Sequence, residues 1–181
     1  MPRRLALMFA LLPALSVLAA SQEPPKAEIF GGYQYFHASS GVSGADSFNL
    51  NGWNAALSGY FNRYLGITSD FAGVYGTPTA VGVGVHTHFY SFLFGPVVRV
   101  ANGSKLTPFA HALFGGGHLS LSALGASSSE TDFTWAAGGG ADWNLTRNFS
   151  VRLAQADFMQ IHTSGSSQNA FRYSAGIVLK F

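Results

Sequence analysis

The last eight residues of the chain, 174–181, have the alternation of a β-strand and end on an aromatic residue. Successive side chains of a strand point to opposite faces. One face carries Ala175, Ile177, Leu179 and Phe181, and the other carries Ser174, Gly176, Val178 and Lys180. An open apolar strand in water invites pairing with other chains. This strand therefore needs a neighbour that closes the sheet and an apolar medium for its outer face.

The N-terminal segment, residues 1–20, has the pattern of a cleavable signal peptide. Arg3 and Arg4 precede an apolar run from Leu5 to Leu18, and small residues follow that run. The apolar run is too short for a spanning helix, which needs about 20 residues. We expect residues 21–26 to form a short polar lead and residues 27–181 to form one exported domain.

The composition is unusual for a water-soluble domain. Charged residues make up 10% of the chain and aromatic residues 14%, with 22 glycines and no cysteine. Typical soluble domains contain about 25% charged residues. The formal net charge of +2 is small and gives no reason to expect nucleic-acid binding. This composition is typical of a transmembrane barrel, in which apolar residues occupy every second position of each membrane-crossing strand.

The part of the chain after residue 26 divides into eight strand candidates bounded by turn residues. These candidates are Ala27–His37, Gly52–Phe61, Tyr64–Tyr75, Val85–Val100, Lys105–Leu121, Asp132–Leu145, Phe149–His162 and Gln168–Phe181. Tight turns follow the second, fourth and sixth candidates, and Asn102-Gly103 is the strongest hairpin signal among them. Longer segments rich in Ser, Gly and Ala follow the others: Ala38–Asn51, Gly76–Gly84, Ser122–Thr131 and Thr163–Ser167. The sequence thus predicts an all-β, eight-stranded antiparallel up-and-down transmembrane barrel with short turns at one end.

The facing of side chains favours a filled barrel over a soluble sandwich. In the sixth candidate, Phe133, Trp135 and Trp143 fall on one face, while Thr134 and Asp142 fall on the other. The less apolar face is built of Gly, Ala, Ser, Thr and single charges, whereas a solvated face is usually rich in Lys and Glu. We expect an outer aromatic girdle, because amphipathic rings favour the membrane interface. Its predicted members are Trp53, Trp135, Trp143 and Tyr173.

Two candidates do not give a clean facing. The fifth shows no consistent alternation, and its Gly115-Gly116-Gly117 run suggests a close backbone approach or a bulge. In the seventh, placing Arg152 inside puts Gln155 and Asp157 outside, where a charge at membrane depth costs several kcal/mol. A β-bulge, which shifts the facing by one residue, would turn Gln155 and Asp157 inward.

The inward charges predict a closed interior. They are Glu28, Asp70, Arg99, Asp142, Arg152, Arg172 and Lys180. An eight-stranded barrel is just wide enough for side chains to fill it, and buried charges must be paired. A turn centred on Arg147 places Asp142 opposite Arg152, and pairing of the first and last strands brings Glu28 near Lys180. We expect a charged, hydrogen-bonded plug and no open pore.

The sequence resembles the outer membrane protein beta-barrel domain family of small eight-stranded barrels. The resemblance rests on the Glu28–Tyr35 opening, on Phe94-Gly95-Pro96 and Pro108–His111 beside the Asn102-Gly103 turn, and on the C-terminus. Ser174, Gly176, Leu179 and Phe181 match the terminal signal that the assembly machinery of such barrels reads. The resemblance implies a bacterial outer-membrane location, with membrane lipids and, during insertion, that machinery as partners.

The functional residues allow more than one interpretation. His86 and His88 share a strand face at a spacing compatible with a metal, but no cysteine or acidic cluster completes a site. We therefore expect no metal, cofactor or catalytic site, and a structural or surface-interaction role with an unknown extracellular ligand. Two alternatives stay open: a lipid A-modifying enzyme using Ser or His with Glu130 or Asp132, and an adhesin-like binder acting through its loops.

Overall fold

A computed structural model describes residues 27–38, 47–77, 79–80, 83–100, 104–123, 126–163 and 166–181. The predicted signal peptide and polar lead lie outside these residues, as does most of the predicted connection Ala38–Asn51. Among the described residues, no helix has the length and hydropathy of a membrane-spanning helix.

Eight strands form the fold, each at the place that the alternation of the sequence predicts. They are β1 (Ala27–Ala38), β2 (Phe48–Tyr60), β3 (Leu65–Gly76), β4 (His86–Arg99), β5 (Leu106–Ala123), β6 (Ala126–Asn144), β7 (Phe149–Thr163) and β8 (Ser166–Lys180). A separate two-stranded sheet pairs Thr79–Ala80 with Val83–Gly84 between β3 and β4.

The eight strands form one closed antiparallel barrel in which each strand pairs with its sequence neighbours and β1 pairs with β8. Glu28 lies opposite Lys180 in this closing pair, as predicted. We call the end with the connections β2–β3, β4–β5 and β6–β7 and the two chain termini the turn end. The opposite end, with the connections β1–β2, β3–β4, β5–β6 and β7–β8, is the loop end.

Alternation of side chains separates the interior from the outer face. Exposed and buried residues alternate without a break along β4, from His86 to Arg99. Phe92 and Phe94 are about half exposed on the outer face, whereas Leu93 between them is fully buried. The facing predicted for the sixth candidate is observed as well, since Thr134 and Asp142 of β6 are buried whereas Phe133 and Trp143 are exposed.

A β-bulge in β7 resolves the conflict found in its sequence. Ala141 pairs with Ala154, but Asp142 pairs with Arg152, so β7 carries one extra residue between them. Leu153 and Ala154 both face outward as a result. Arg152, Gln155 and Asp157 all face inward and are at least 90% buried.

The fifth strand has a regular facing that its sequence concealed. Thr107, Phe109, Leu113 and Gly117 face inward, and the pairing of β5 with β4 keeps one register throughout. The glycine run therefore contains no bulge, and only the suggested close approach is observed. A Cβ added to Gly117 would lie 2.8 Å from the Phe89 ring and 2.7 Å from Thr134 Oγ1.

The prediction of a long loop at Ser122–Thr131 was wrong, because most of this segment is β-strand. β5 and β6 remain paired to Ala123 and Ala126. Among the described residues, no strand pairs with residues 126–132 of β6 on the β7 side, since that pairing begins at Phe133. Polar residues hid this extension from sequence reasoning because hydroxyl-rich segments usually indicate loops. We call residues 119–123 and 126–132 the projecting hairpin.

Candidate functional site

The barrel interior consists of two layers of different chemistry. The half towards the loop end is filled by an apolar cluster of Phe36, Ala38, Leu50, Val74, Phe89, Leu93, Leu113, Ala136, Met159 and Ala170. Phe36 and Phe89 meet across it with ring centroids 5.4 Å apart. The half towards the turn end contains the charged residues. The sequence predicted the charged layer but not the apolar one, which forms only when inward residues of all eight strands meet.

Arg172 is the centre of the charged layer. Its side chain is fully buried, and its guanidinium donates to Asp70 Oδ1 at 2.6 Å and to Asp157 Oδ2 at 2.7 Å. Asp70 also accepts a hydrogen bond of 2.9 Å from Asn54 Nδ2. Asp157 lies 2.8 Å from His111 Nε2. Residues of β2, β3, β5, β7 and β8 are joined by these contacts.

Arg152 carries the network towards the turn end. Its guanidinium donates to both carboxylate oxygens of Asp142, at 2.8 and 3.1 Å, which is a bidentate arrangement. Gln155 accepts from Arg152 at 2.8 Å and donates to Asp157 at 2.7 Å, so it connects the two ion pairs. The guanidinium carbon lies 4.3 Å from the Phe30 ring centre and 4.1 Å from that of Phe109. These rings exclude water from the pair.

A third group of charges lies nearest the turn end. Arg99 forms an ion pair with Glu28, and its guanidinium lies 3.6 Å above the ring of Tyr60. Lys180 Nζ donates to Asn144 Oδ1 at 2.6 Å and lies 4.0 Å from Glu28 Oε1. All seven charged residues predicted to face inward therefore do so, and each has an oppositely charged neighbour.

The sequence left one anion of this network undecided and gave no sign of one imidazole. Asp157 became an inward residue only through the β7 bulge, and His111 was hidden by the ambiguous facing of β5. With Asp157 included, the cations Arg99, Arg152, Arg172 and Lys180 face the carboxylates of Glu28, Asp70, Asp142 and Asp157. Opposite charges thus balance inside the barrel, as buried charges require.

Little room is left between these groups. A cavity of about 10 Å³ lies beside Asp70, His111 and Arg152. That volume is about the minimum that holds one water molecule. At this place the charged layer leaves room for about one water molecule, and the apolar layer lies between it and the loop end.

The residues of the predicted girdle lie on the outer face at different heights. Trp143, near the turn end, is 41% exposed, and Trp53 and Tyr173 are exposed to a similar degree. Trp135 is half-buried, and its Nε1 donates to Gln160 Oε1 at 3.2 Å. Trp53 Nε1 donates to the Tyr75 hydroxyl at 3.2 Å. These rings have the apolar body and polar contact that an interfacial position favours.

The residues of the C-terminal signal close the sheet. Ser174 is buried, whereas Leu179 and Phe181 are exposed on the outer face. A Cβ on Gly176 would collide with the backbone of Gly31, so a glycine here lets β8 approach β1 closely. Phe181 N–H donates to the Ala27 carbonyl at 2.9 Å. Recognition of these residues during assembly stays a prediction.

Five of the six histidines lie on the outer face near the loop end. His86 lies 3.2 Å from the Thr77 hydroxyl, and His88 packs edge-on against the ring of Tyr75. Within the described residues, no group of three or more His, Cys, Asp or Glu side chains is arranged to hold a metal ion. One histidine, His118, has hydroxyls at both ring nitrogens: Thr131 at 2.7 Å and Ser120 at 3.3 Å.

The comparisons with known proteins agree with this architecture. The crystal structure of Ail, the attachment invasion locus protein of Yersinia pestis, superposes with a TM-score of 0.64 at 22% identity, covering 88% of this chain and 100% of Ail. Neisserial surface protein A gives a TM-score of 0.73 at 16% identity, with 88% and 100% covered. OprG of Pseudomonas aeruginosa gives 0.57 at 11% identity, with 89% and 98% covered.

Identities this low establish likeness of fold alone. A search of curated protein sequences gave no significant match. The sequence itself matches the family described as "Outer membrane protein beta-barrel domain" over residues 7–181. The chain therefore belongs to the outer membrane protein beta-barrel domain family and is a bacterial outer-membrane protein whose eight strands cross the membrane.

Proposed function

We propose that this protein is a non-conducting barrel that acts through its extracellular surface and catalyses no reaction. The main supporting observation is that side chains fill the interior, whereas one strand edge of β6 at the loop end has no strand partner among the described residues. Two layers, apolar and ion-paired, occupy the lumen from the loop end to the turn end. With the lumen filled, an interaction has to take place on the outer surface. The loop end is extracellular, because short turns of such barrels face the periplasm.

The projecting hairpin is the surface that we propose for this interaction. On its β6 arm, residues 127–131 are exposed, and all but Glu130 of these carry hydroxyl groups. The outer edge of that arm has no strand partner among the described residues, and an open edge is a template for an added strand. An extended segment of a partner protein fits this edge, with backbone hydrogen bonds supplying affinity and the row of hydroxyls supplying side-chain contacts.

The charge of the loops favours such a ligand over a polyanion. Ail of Y. pestis has been crystallised in complex with sucrose octasulfate, a heparin analogue. In this chain, no Lys or Arg occurs between Lys26 and Arg63, between Arg63 and Arg99, or between Lys105 and Arg147. A sulfated ligand would therefore find no Lys or Arg in the loops after β1, β3 and β5.

Shortening the hairpin tests this proposal. Ser120 and Ser129 are paired, so replacing residues 121–128 with Asn-Gly retains the register and closes a tight turn. We expect the shortened barrel to fold but to lose attachment of cells or vesicles to the protein partner. S127A/S129A separates the two contributions: it removes hydroxyls, leaves the backbone edge intact, and should weaken attachment without abolishing it. Unchanged attachment after shortening would contradict the proposal, and steady conductance of the wild type in a planar bilayer would contradict a closed lumen.

A second function, modification of a lipid at the outer face, is favoured by one constellation. His118 lies between Ser120 and Thr131 on the outer face near the loop end. A histidine that takes a proton from a serine and is oriented by a third group is the arrangement of nucleophilic catalysis. Mass spectrometry of lipid A from cells with wild type, S120A or no protein separates the functions. Loss of an acyl group that requires Ser120 would establish the enzyme.

A further inference from the structure

Among the described residues, the cationic side chains that do not face into the barrel all lie at the turn end. Each of the three turns carries one: Arg63, Lys105 and Arg147. Lys105 and Arg147 are exposed, and Arg63 is half-buried with its guanidinium 5.6 Å from the ring of Tyr64. Arg99, Arg152, Arg172 and Lys180, in contrast, face into the barrel. We call Arg63, Lys105 and Arg147 the cationic rim.

Negative charge is distributed in the opposite way. Glu130, on the projecting hairpin, is exposed at the loop end, and Asp132 there is half-buried. At the turn end, Glu28 and Asp142 face inward in ion pairs with Arg99 and Arg152. Apart from the terminal carboxylate of Phe181, the described residues place no exposed acidic group beside the cationic rim. Within the described part of the chain, the exposed side chains at the two ends of the barrel therefore have opposite charge.

Each cation of the rim is next to an apolar group that faces the membrane. Phe61 and Tyr64 flank Arg63, Leu106 follows Lys105, and Trp143 and Leu145 precede Arg147, and all five are exposed. Long cationic side chains beside such groups extend along the apolar surface and place their charge at the headgroups. Because neighbouring strands lie ~4.8 Å apart, successive turns are separated by about 10 Å around the rim.

We propose that the cationic rim binds the phosphodiester groups of anionic phospholipids in the periplasmic leaflet. The rim combines the two elements of such a site: a cation at the height of the lipid headgroups and an apolar side chain at the level of the first acyl carbons. A Lys or Arg near an anionic membrane surface attracts it by about 1 kcal/mol, which corresponds to about fivefold in local lipid concentration. The anchor also holds the turn end in place while the loops, which have no Lys or Arg after β1, β3 and β5, cross the bilayer.

Trp143 allows a direct test of the lipid composition at the rim. Trp143 pairs with Leu106, the residue after Lys105. The next residue, Asn144, donates its backbone N–H to the Lys105 carbonyl at 2.7 Å, so Trp143 lies close to the cationic rim. In a W53F/W135F background, Trp143 is the only fluorophore of its kind. The folded protein is placed in phosphatidylcholine vesicles that contain either brominated phosphatidylglycerol or brominated phosphatidylcholine. Quenching then gives the relative association constant of the anionic lipid at this position.

We expect about fivefold enrichment of phosphatidylglycerol around Trp143. The enrichment should fall to unity in R63Q/K105Q/R147Q and decrease strongly in high salt, while R63K/R147K should retain most of it. A second reporter, Trp135 in a W53F/W143F background, should show no enrichment. Gel migration without boiling confirms that each variant is folded before its quenching is compared.

Three outcomes would overturn the proposal. The first is an association constant of unity in the wild type, and the second is an unchanged constant in the triple variant. The third is restored enrichment at Trp143 when S122K/S127K/S129K is added to the triple variant, since net charge alone would then explain the effect. In the first of these cases, sedimentation with peptidoglycan that requires the rim would assign the rim to the cell wall. The first two results involve no residue of the projecting hairpin, so the two proposals fail separately.

Discussion

At the scale of single residues, the interior of this barrel depends on paired charges held by a few contacts. Asp142 and Arg152 form a bidentate pair that is more than 90% buried on both sides. Removing one partner leaves the other as an uncompensated buried charge, which costs about 3–5 kcal/mol. We expect D142L and R152M each to lower the free energy of unfolding by about this amount.

The double variant D142L/R152M should lose less stability than the sum of the two single changes. Both charges are then absent, and a methionine still packs between the Phe30 and Phe109 rings that Arg152 contacts. Urea unfolding in detergent micelles, followed by tryptophan fluorescence, provides all four free energies. Additive effects would mean that the pair contributes no coupling energy.

Two adjacent glycines provide a second prediction with its own control. A methyl group on Gly117 would press on Phe89 and Thr134 at 2.7–2.8 Å, whereas on Gly116 its nearest neighbours are 4.0 Å away. Overpacking of a core costs typically about 1–3 kcal/mol. G117A should therefore lower the free energy of unfolding by about that amount, and G116A should leave it unchanged or slightly higher. Equal changes in the free energy of unfolding for G117A and G116A would contradict this prediction, because the Phe89 side chain would then move aside without loss of stability.

At the scale of elements, the β7 bulge decides which charges enter the interior. Deleting both Leu153 and Ala154 makes Gln155 follow Arg152 directly, so Arg152 and Asp157 can no longer both face inward in a regular strand. We expect this double deletion to abolish folding into vesicles, as read by gel migration without boiling, because a charge facing the membrane costs several kcal/mol. Deleting Leu153 alone removes only the extra residue, leaves Arg152, Gln155 and Asp157 facing inward, and should allow folding. A double-deletion variant with wild-type stability would mean that β7 forms a bulge at another position.

The last strand gives a prediction about assembly. Phe181 and Ala27 exchange two backbone hydrogen bonds, of 2.9 and 3.3 Å, and the Phe181 side chain is 66% exposed. Because these contacts lie at the very end of the closing strand pair, deleting Phe181 should change little in refolding from urea into lipid vesicles. In cells, the same deletion should lower the outer-membrane yield and increase periplasmic aggregate, because the terminal signal is lost. Normal insertion in cells would contradict a role of Phe181 in recognition.

At the scale of the whole molecule, closure of the sheet leaves no unpaired edge within the membrane, where each unsatisfied backbone group would cost several kcal/mol. We expect the protein in detergent to resist unfolding and to migrate differently on a gel before and after boiling, with a β-type circular dichroism spectrum. A helical spectrum or a water-soluble monomer would contradict the closed barrel.

The sequence alone determined the strands, most of their facing and the seven charges first assigned to the interior. These features depend on the two-residue period of a strand, which every local segment carries by itself. The Glu28–Lys180 and Asp142–Arg152 registers were also predictable, because tight turns and a terminal strand leave few alternatives.

Only the tertiary structure decided how the charges combine. Asp70 and Arg172 are 102 residues apart, and their contact depends on closure of the whole barrel. His111 belongs to the network, but its inward facing was not predictable. β5 has small apolar residues on both faces, so its sequence lacks the difference between a polar and an apolar face from which facing is inferred. The apolar layer and the projecting hairpin likewise follow from which strands are adjacent and how far each extends. These are global geometric properties, because relative strand positions in a closed sheet must satisfy all eight pairings at once.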